Sequence, residues 1–253
     1  MRSGNPALKE STFLDLGSGT VVSRPDQVMT LNGTANKTGL LLLLATLTGA
    51  WAWSQALTPT GEIAPGFGLY MWGGLIGGFV MALVTVFKKE WAPVTAPLYA
   101  LLKGLALGAI SAMYNFQFEG IVLQAVMLTF GTLFAMLFAY RSGLVKATEN
   151  FKMGVVAATG GIMLVYLATI VLGLFGINIP MIHDSGLIGI GFSLFVVVIA
   201  ALNLVLDFDM IETGVQARAP KYMEWYGAFG LMVTLVWLYI EFLRLLAKLQ
   251  SRD

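Results

Sequence analysis

From Thr38 onward the chain repeats one pattern, a run of about twenty apolar residues followed by a short polar break. Runs of that length cross a hydrocarbon core of roughly 30 Å when helical. Seven spans are predicted, at about Thr38 to Leu57, Phe67 to Phe87, Thr95 to Tyr114, Gly120 to Tyr140, Met153 to Phe175, Gly186 to Asp207 and Trp225 to Ala247. Stretches such as LLLLATLTGAWAW and SLFVVVIAALNLVL are apolar all round. Barrel strands would be about half as long and would alternate strictly, so helices are the reading that satisfies the backbone in lipid. The expected architecture is an all-α polytopic membrane protein with its membrane domain over residues 38–248 and a short tail over 249–253.

Residues 1–37 are polar, rich in Gly, Ser, Thr and Asn, and interrupted by Pro6 and Pro25. They bury too little apolar area to offset the entropy of ordering and read as a flexible tail. No short apolar run with a cleavage site precedes Gly39, so a signal peptide is not expected.

Composition sharpens this picture. The 253 residues are 57% hydrophobic and 11% charged, too apolar for a water-soluble surface. Fifteen Lys and Arg against 14 Asp and Glu leave no electrostatic footprint for nucleic acid. With no Cys and one His, thiolate nucleophiles, disulfides and multi-histidine metal sites are removed, and neither enzymatic activity nor a resident cofactor is expected.

Basic residues set an orientation. The tail carries Arg2, Lys9, Arg24 and Lys37, and the breaks on the same side carry Lys88, Lys89, Arg141, Lys146, Lys152, Arg218 and Lys221. The opposite breaks have no Lys or Arg, which predicts a cytoplasmic N-terminus. Arg244, Lys248 and Arg252 then stand on the outer side against the rule, so the last helix either bears that cost or re-enters without crossing. Gly74 with Gly78 and Gly104 with Gly108 have the small-xxx-small spacing of closely packed helices. Gly73, Gly77, Gly160, Gly161, Gly189 and Gly191 extend the same expectation.

Candidate chemistry rests on ionisable residues in or beside the spans, because a charge at the bilayer centre costs at least about 2.5–3.5 kcal/mol. Lys103, in the third span, either snorkels to the headgroups or neutralises a carboxylate on a neighbouring helix. Glu119 opens the fourth span. Asp207 abuts the apolar run of the sixth, with Asp209 and Glu212 sharing a helix face beyond it, and the three read either as a solvated helix end or as acids turned inward. Glu241 lies among apolar neighbours in the seventh, three residues before Arg244. It reads either as an intrahelical ion pair or as a carboxylate facing a polar cavity. His183 and Asp184 read as a solvated loop, and most of the tryptophans as interfacial anchors.

The stretches LNLVLDFDMIETG and LVWLYIEFLRLL resemble the closing signature of the Bax inhibitor family. APLYALLKGLALGAISAMY is similar to that family's third helix, and MRSGNPAL to its bacterial YccA-like branch. The resemblance spans residues 38–248 and implies a last helix central in the bundle. It further implies a pH-sensitive calcium leak in a bacterial inner membrane, with Asp207 and Glu241 in the places of the family's two sensor acids. Protons and calcium are then the partners, calcium being the transported ion. Two departures stand out: Glu replaces Asp at the second acid, and Lys103 stands where an acid is expected. The turn near Ala217 to Lys221 predicts a depth mismatch of roughly 15 Å between Asp207 and Glu241. The resemblance also implies a rival role, a regulatory protein that a membrane-bound AAA+ protease grips by the N-terminal tail.

Overall fold

The computed structural model of the protein describes residues 27–56, 64, 66–176 and 186–251. Among the described residues the chain forms seven α-helices: α1 Leu31–Ser54, α2 Phe67–Phe87, α3 Ala92–Gln117, α4 Ile121–Arg141, α5 Glu149–Leu174, α6 Leu187–Gln216 and α7 Met223–Gln250. A 3₁₀ turn, Lys89–Trp91, leads into α3. Six helices are long and apolar enough to cross a membrane; α1 is the exception, because it opens on polar residues. Large apolar side chains such as Leu69, Phe134, Phe138, Leu164 and Leu174 stand exposed on the helices, an arrangement suited to lipid and not to water. The polytopic all-α fold expected from the hydrophobic pattern is present.

Two helices extend well beyond their apolar runs. The first begins at Leu31, seven residues ahead of the expected span and inside the segment read as tail, because Thr30 caps it by accepting from the Gly33 amide. The sixth continues to Gln216, carrying Asp207, Asp209 and Glu212 within the helix. Residues 1–26 lie outside the described residues, as do His183, Asp184 and Arg252.

The chain divides into two compact units. One holds the described residues up to 119 together with 210–233; the other holds 120–209 and the described residues from 234. The last helix contributes to both and is the most enclosed span, with 72% of its apolar window buried against 17–50% for the other five. This is the standing expected of a central helix.

In the first unit, α3 packs against both α1 and α2 through small residues. A Cβ on Gly108 would fall 2.1 Å from the Gly49 carbonyl oxygen, one on Gly104 2.3 Å from that of Ala45, and one on Gly74 2.5 Å from that of Leu102. Backbones approach this closely only where no side chain intervenes, and in lipid such contact replaces the hydrophobic drive that water would supply. The Gly74/Gly78 and Gly104/Gly108 pairs are thus packing faces. Gly73, Gly160, Gly161 and Gly191 have no such neighbours.

In the second unit, α5, α6 and α7 share an apolar cluster of Ile162, Val196 and Ile199, with Tyr166, Phe192 and Trp237 against it. Gly131 on α4 has nothing near it. We expect Gly108→Ala to cost about 1–3 kcal/mol by overpacking. Gly131→Ala should be neutral or stabilise by up to about 1 kcal/mol through helix propensity. Thermal melting of the two variants in detergent checks the contrast.

Candidate functional site

Asp207 and Glu241 are both withdrawn from solvent, at 0% and 1% exposure, inside the unit built from α4, α5, α6 and the greater part of α7. Each belongs to a polar layer, and the layers are ordered by the register of the helices.

Near the first layer, Asn203 on α6 donates through Nδ2 to Thr159 Oγ1 on α5 at 2.8 Å and to the Ile199 carbonyl at 2.8 Å. Asp207 follows one turn later on α6. Two residues beyond it, Asp209 is paired with Lys152 of α5 at 2.7 Å, and Lys152 also lies 3.8 Å from Glu149. Asp209 keeps 22% of its side chain exposed, so it belongs to a partly solvated ion pair and is not a buried acid. The two readings offered for the acidic trio therefore separate: Asp207 is turned inward and Asp209 is partly solvated.

The second layer centres on Glu241. Its Oε1 accepts from Tyr166 Oη at 3.0 Å and from Arg244 Nη1 at 2.9 Å, and the guanidinium lies 5.1 Å from the Tyr166 ring centroid. The other carboxylate oxygen, Oε2, is buried without a hydrogen-bond partner. Of the two readings of Glu241, the intrahelical pair with Arg244 is present, and the acid that makes it is buried. One turn further, Lys248 Nζ donates to the Gly189 carbonyl at 3.0 Å and to Ser193 Oγ at 2.9 Å on α6. Of the cations that break the positive-inside pattern, Arg244 and Lys248 are met by buried acceptors, Glu241 for the first and Gly189 with Ser193 for the second.

Between the layers lies the apolar cluster of Ile162, Val196, Ile199 and Trp237. Thr159 and Tyr166 bracket it on α5, which gives it a thickness of about 10 Å at 1.5 Å per residue. Asp207 lies a further turn beyond Asn203, so the two acids stand about 16 Å apart along the helix axes. The same unit thus holds both, at different depths.

The remaining candidates lie elsewhere. Glu212 is half-buried and sits 3.5 Å from the Gln216 amide one turn on. Glu119 is exposed in the turn before α4. Lys103 is half-buried and deeper than its apolar flank suggested, because α3 starts at Ala92; its ammonium lies 5.9 Å from the Tyr99 ring centroid and its stem runs along Gly78. No group of three or more His, Cys, Asp or Glu side chains that could hold a metal occurs among the described residues.

A model of the family described as Bax inhibitor 1 like matches residues 5–251, nearly the whole chain. The chain belongs to the Bax inhibitor 1 like family. Comparison with curated proteins and with solved structures gave no match. The family match covers all seven helices and both polar layers of this Bax inhibitor 1 like protein.

Three residues of the layers escape a reading limited to charge. Tyr166, Asn203 and Thr159 sit in apolar runs where a single polar side chain raises no signal of its own. The helical spacing of Asn203, one turn before Asp207 on the same face, was the available clue. Removing only one partner of the buried pair leaves a charge uncompensated. Because the Arg244 side chain keeps 42% exposure, Arg244→Leu should cost less than breaking a fully buried pair, about 1–3 kcal/mol, and adding Glu241→Gln should recover most of that loss. Reversible unfolding of the single and double variants in mixed micelles measures both steps.

Proposed function

We propose that this protein is a proton-sensitive cation leak of a bacterial inner membrane, with a cytoplasmic N-terminus and calcium as the conducted ion. The observation that carries the proposal is the full burial of two carboxyl groups, Asp207 and Glu241, in one helical unit on either side of an apolar layer. Acids are rarely retained in spans without use, since each raises the cost of the apolar environment. Family membership supports the same reading.

Carboxylate and carbonyl oxygens suit a hard cation such as Ca²⁺. In the arrangement described, Arg244 occupies the position at Glu241 that a conducted cation needs, and the Ile162, Val196, Ile199 and Trp237 layer closes the route between the acids. This is a shut state. Conduction requires the layer to part and the guanidinium to yield. Adding or removing a proton at either acid changes the charge that holds the layers together and so biases a closed and open equilibrium. The regulatory alternative, modulation of a membrane-bound AAA+ protease through the tail, depends on residues 1–26, which lie outside the described residues.

Calcium flux into proteoliposomes, followed across pH 5 to 8, provides the test. Asp207→Asn and Glu241→Gln should each flatten the pH profile and change the flux at least severalfold at its steepest point. Flux and profile unchanged in both variants would dismiss the proposal. Persistence of the leak after deletion of residues 1–26 separates conduction from tail-dependent regulation.

A further inference from the structure

Glu224 is the third fully buried acid, at 0% exposure, and it lies outside both polar layers. It stands in the first turn of α7, yet its hydrogen bonds go to the start of α1. Its Oε1 accepts from the Thr30 amide at 2.9 Å and from Thr30 Oγ1 at 2.8 Å. Lys221 Nζ reaches the same oxygen at 2.8 Å, and Lys37 Nζ pairs with Oε2.

These bonds complete a capping box from a distance. In the ordinary box the N-cap Thr bonds the amide three residues on, and a Glu at that third position reaches back to the N-cap amide. Thr30 does the first half, accepting from the Gly33 amide at 3.0 Å. The third position is Gly33, which has no side chain, and Glu224 supplies the missing carboxylate. The fit is close: a Cβ on Gly33 would fall 2.0 Å from Glu224 Oε1.

The residues just ahead of Thr30 are fastened to the same place. The Met29 amide donates to the Ala219 carbonyl at 2.7 Å and the Lys221 amide to the Gln27 carbonyl at 2.9 Å, around an antiparallel bridge of Val28 with Pro220. Met29 is buried, and Gly227 on α7 leaves room for its methyl group. The receiving turn is itself set by the end of α6. The Ala219 amide bonds the Gly214 carbonyl and the Arg218 amide that of Val215, with Arg218 left-handed at φ 52°. That is a Schellman closure with an arginine in the place glycine usually takes.

We infer that Glu224 is a latch that joins a strap of residues 27–30, the start of α1 and the root of α7 into a single mechanical element. Opening the latch frees the strap, so whatever draws on the chain ahead of Gln27 acts first on the last helix. The inference stands on the geometry of this corner alone and does not depend on what the protein conducts.

Amide hydrogen exchange on the full chain in lipid nanodiscs tests it. Gly33→Ala leaves the acid in place but fills its seat, and Glu224→Ala removes it. Both should speed exchange at least tenfold at Thr30, Met29 and Lys221 together and in the first turn of α7, with Ile199 and Asn203 unchanged. Glu224→Gln, which keeps the shape and one acceptor, guards against misfolding and should give a smaller acceleration at the same amides. The variant carrying Glu224→Ala with Gly33→Glu regains a local capping box. There Thr30 should slow again while Met29 and Lys221 stay fast. Acceleration confined to Thr30 in the single variants, or no acceleration at all, overturns the latch.

Discussion

An ionised carboxyl group cannot rest among hydrocarbon without a counter-charge or donors around it, and the polar architecture of this protein follows from that constraint. Among the described residues three acids are fully enclosed, Asp207, Glu224 and Glu241, and two of them carry described ion pairs. Glu224 holds two lysines and a helix cap, a saturated arrangement that leaves both of its oxygens occupied. Glu241 holds one arginine and one tyrosine on a single oxygen and leaves the other bare. A buried pair does little for stability by itself, since desolvation consumes most of the Coulomb gain. The two acids thus differ in how fully their oxygens are engaged.

The helices around these acids are held by two distinct kinds of contact. Where α3 meets α1 and α2, missing side chains let main chains touch, and the packing is sensitive to a single methyl group. Where α5, α6 and α7 meet, branched and aromatic side chains fill the gap between polar layers. Side-chain packing of the second kind can loosen by rotamer changes, whereas backbone contact of the first kind cannot.

Much of this was legible in the sequence. The length and uniform greasiness of the runs gave seven helices in the right places, and α2 matches its expected bounds because Gly66 and Lys88 end the run on both sides. The glycine pairs at four-residue spacing read correctly as packing faces for the same steric reason. What hydropathy could not show was the polar stretch of about two turns that opens α1. Its stability comes from Thr30 and from an acid supplied by a distant part of the chain. The candidate site was legible as charge and illegible as partnership. Asp207 and Glu241 stand out among apolar letters, but Tyr166 as donor to Glu241, or Asn203 joined to Thr159, depends on helix rotations that no periodicity here records. Lys103 stands about one turn further along its helix than the predicted span had it, because the helix begins at Ala92 and not at Thr95.

The cap shared by Thr30 and Glu224 has a consequence for biogenesis. Its two halves are separated by 194 positions, so the opening helix emerges and enters the translocation machinery with its terminal amide unsatisfied. At ribosomal speeds of about 5–20 residues per second, roughly 10 to 40 seconds pass before the complementary carboxylate is made. The first segment inserted is therefore among the last to be finished, and a nascent chain stalled before residue 224 presents an unsealed N-terminal corner to quality-control surveillance.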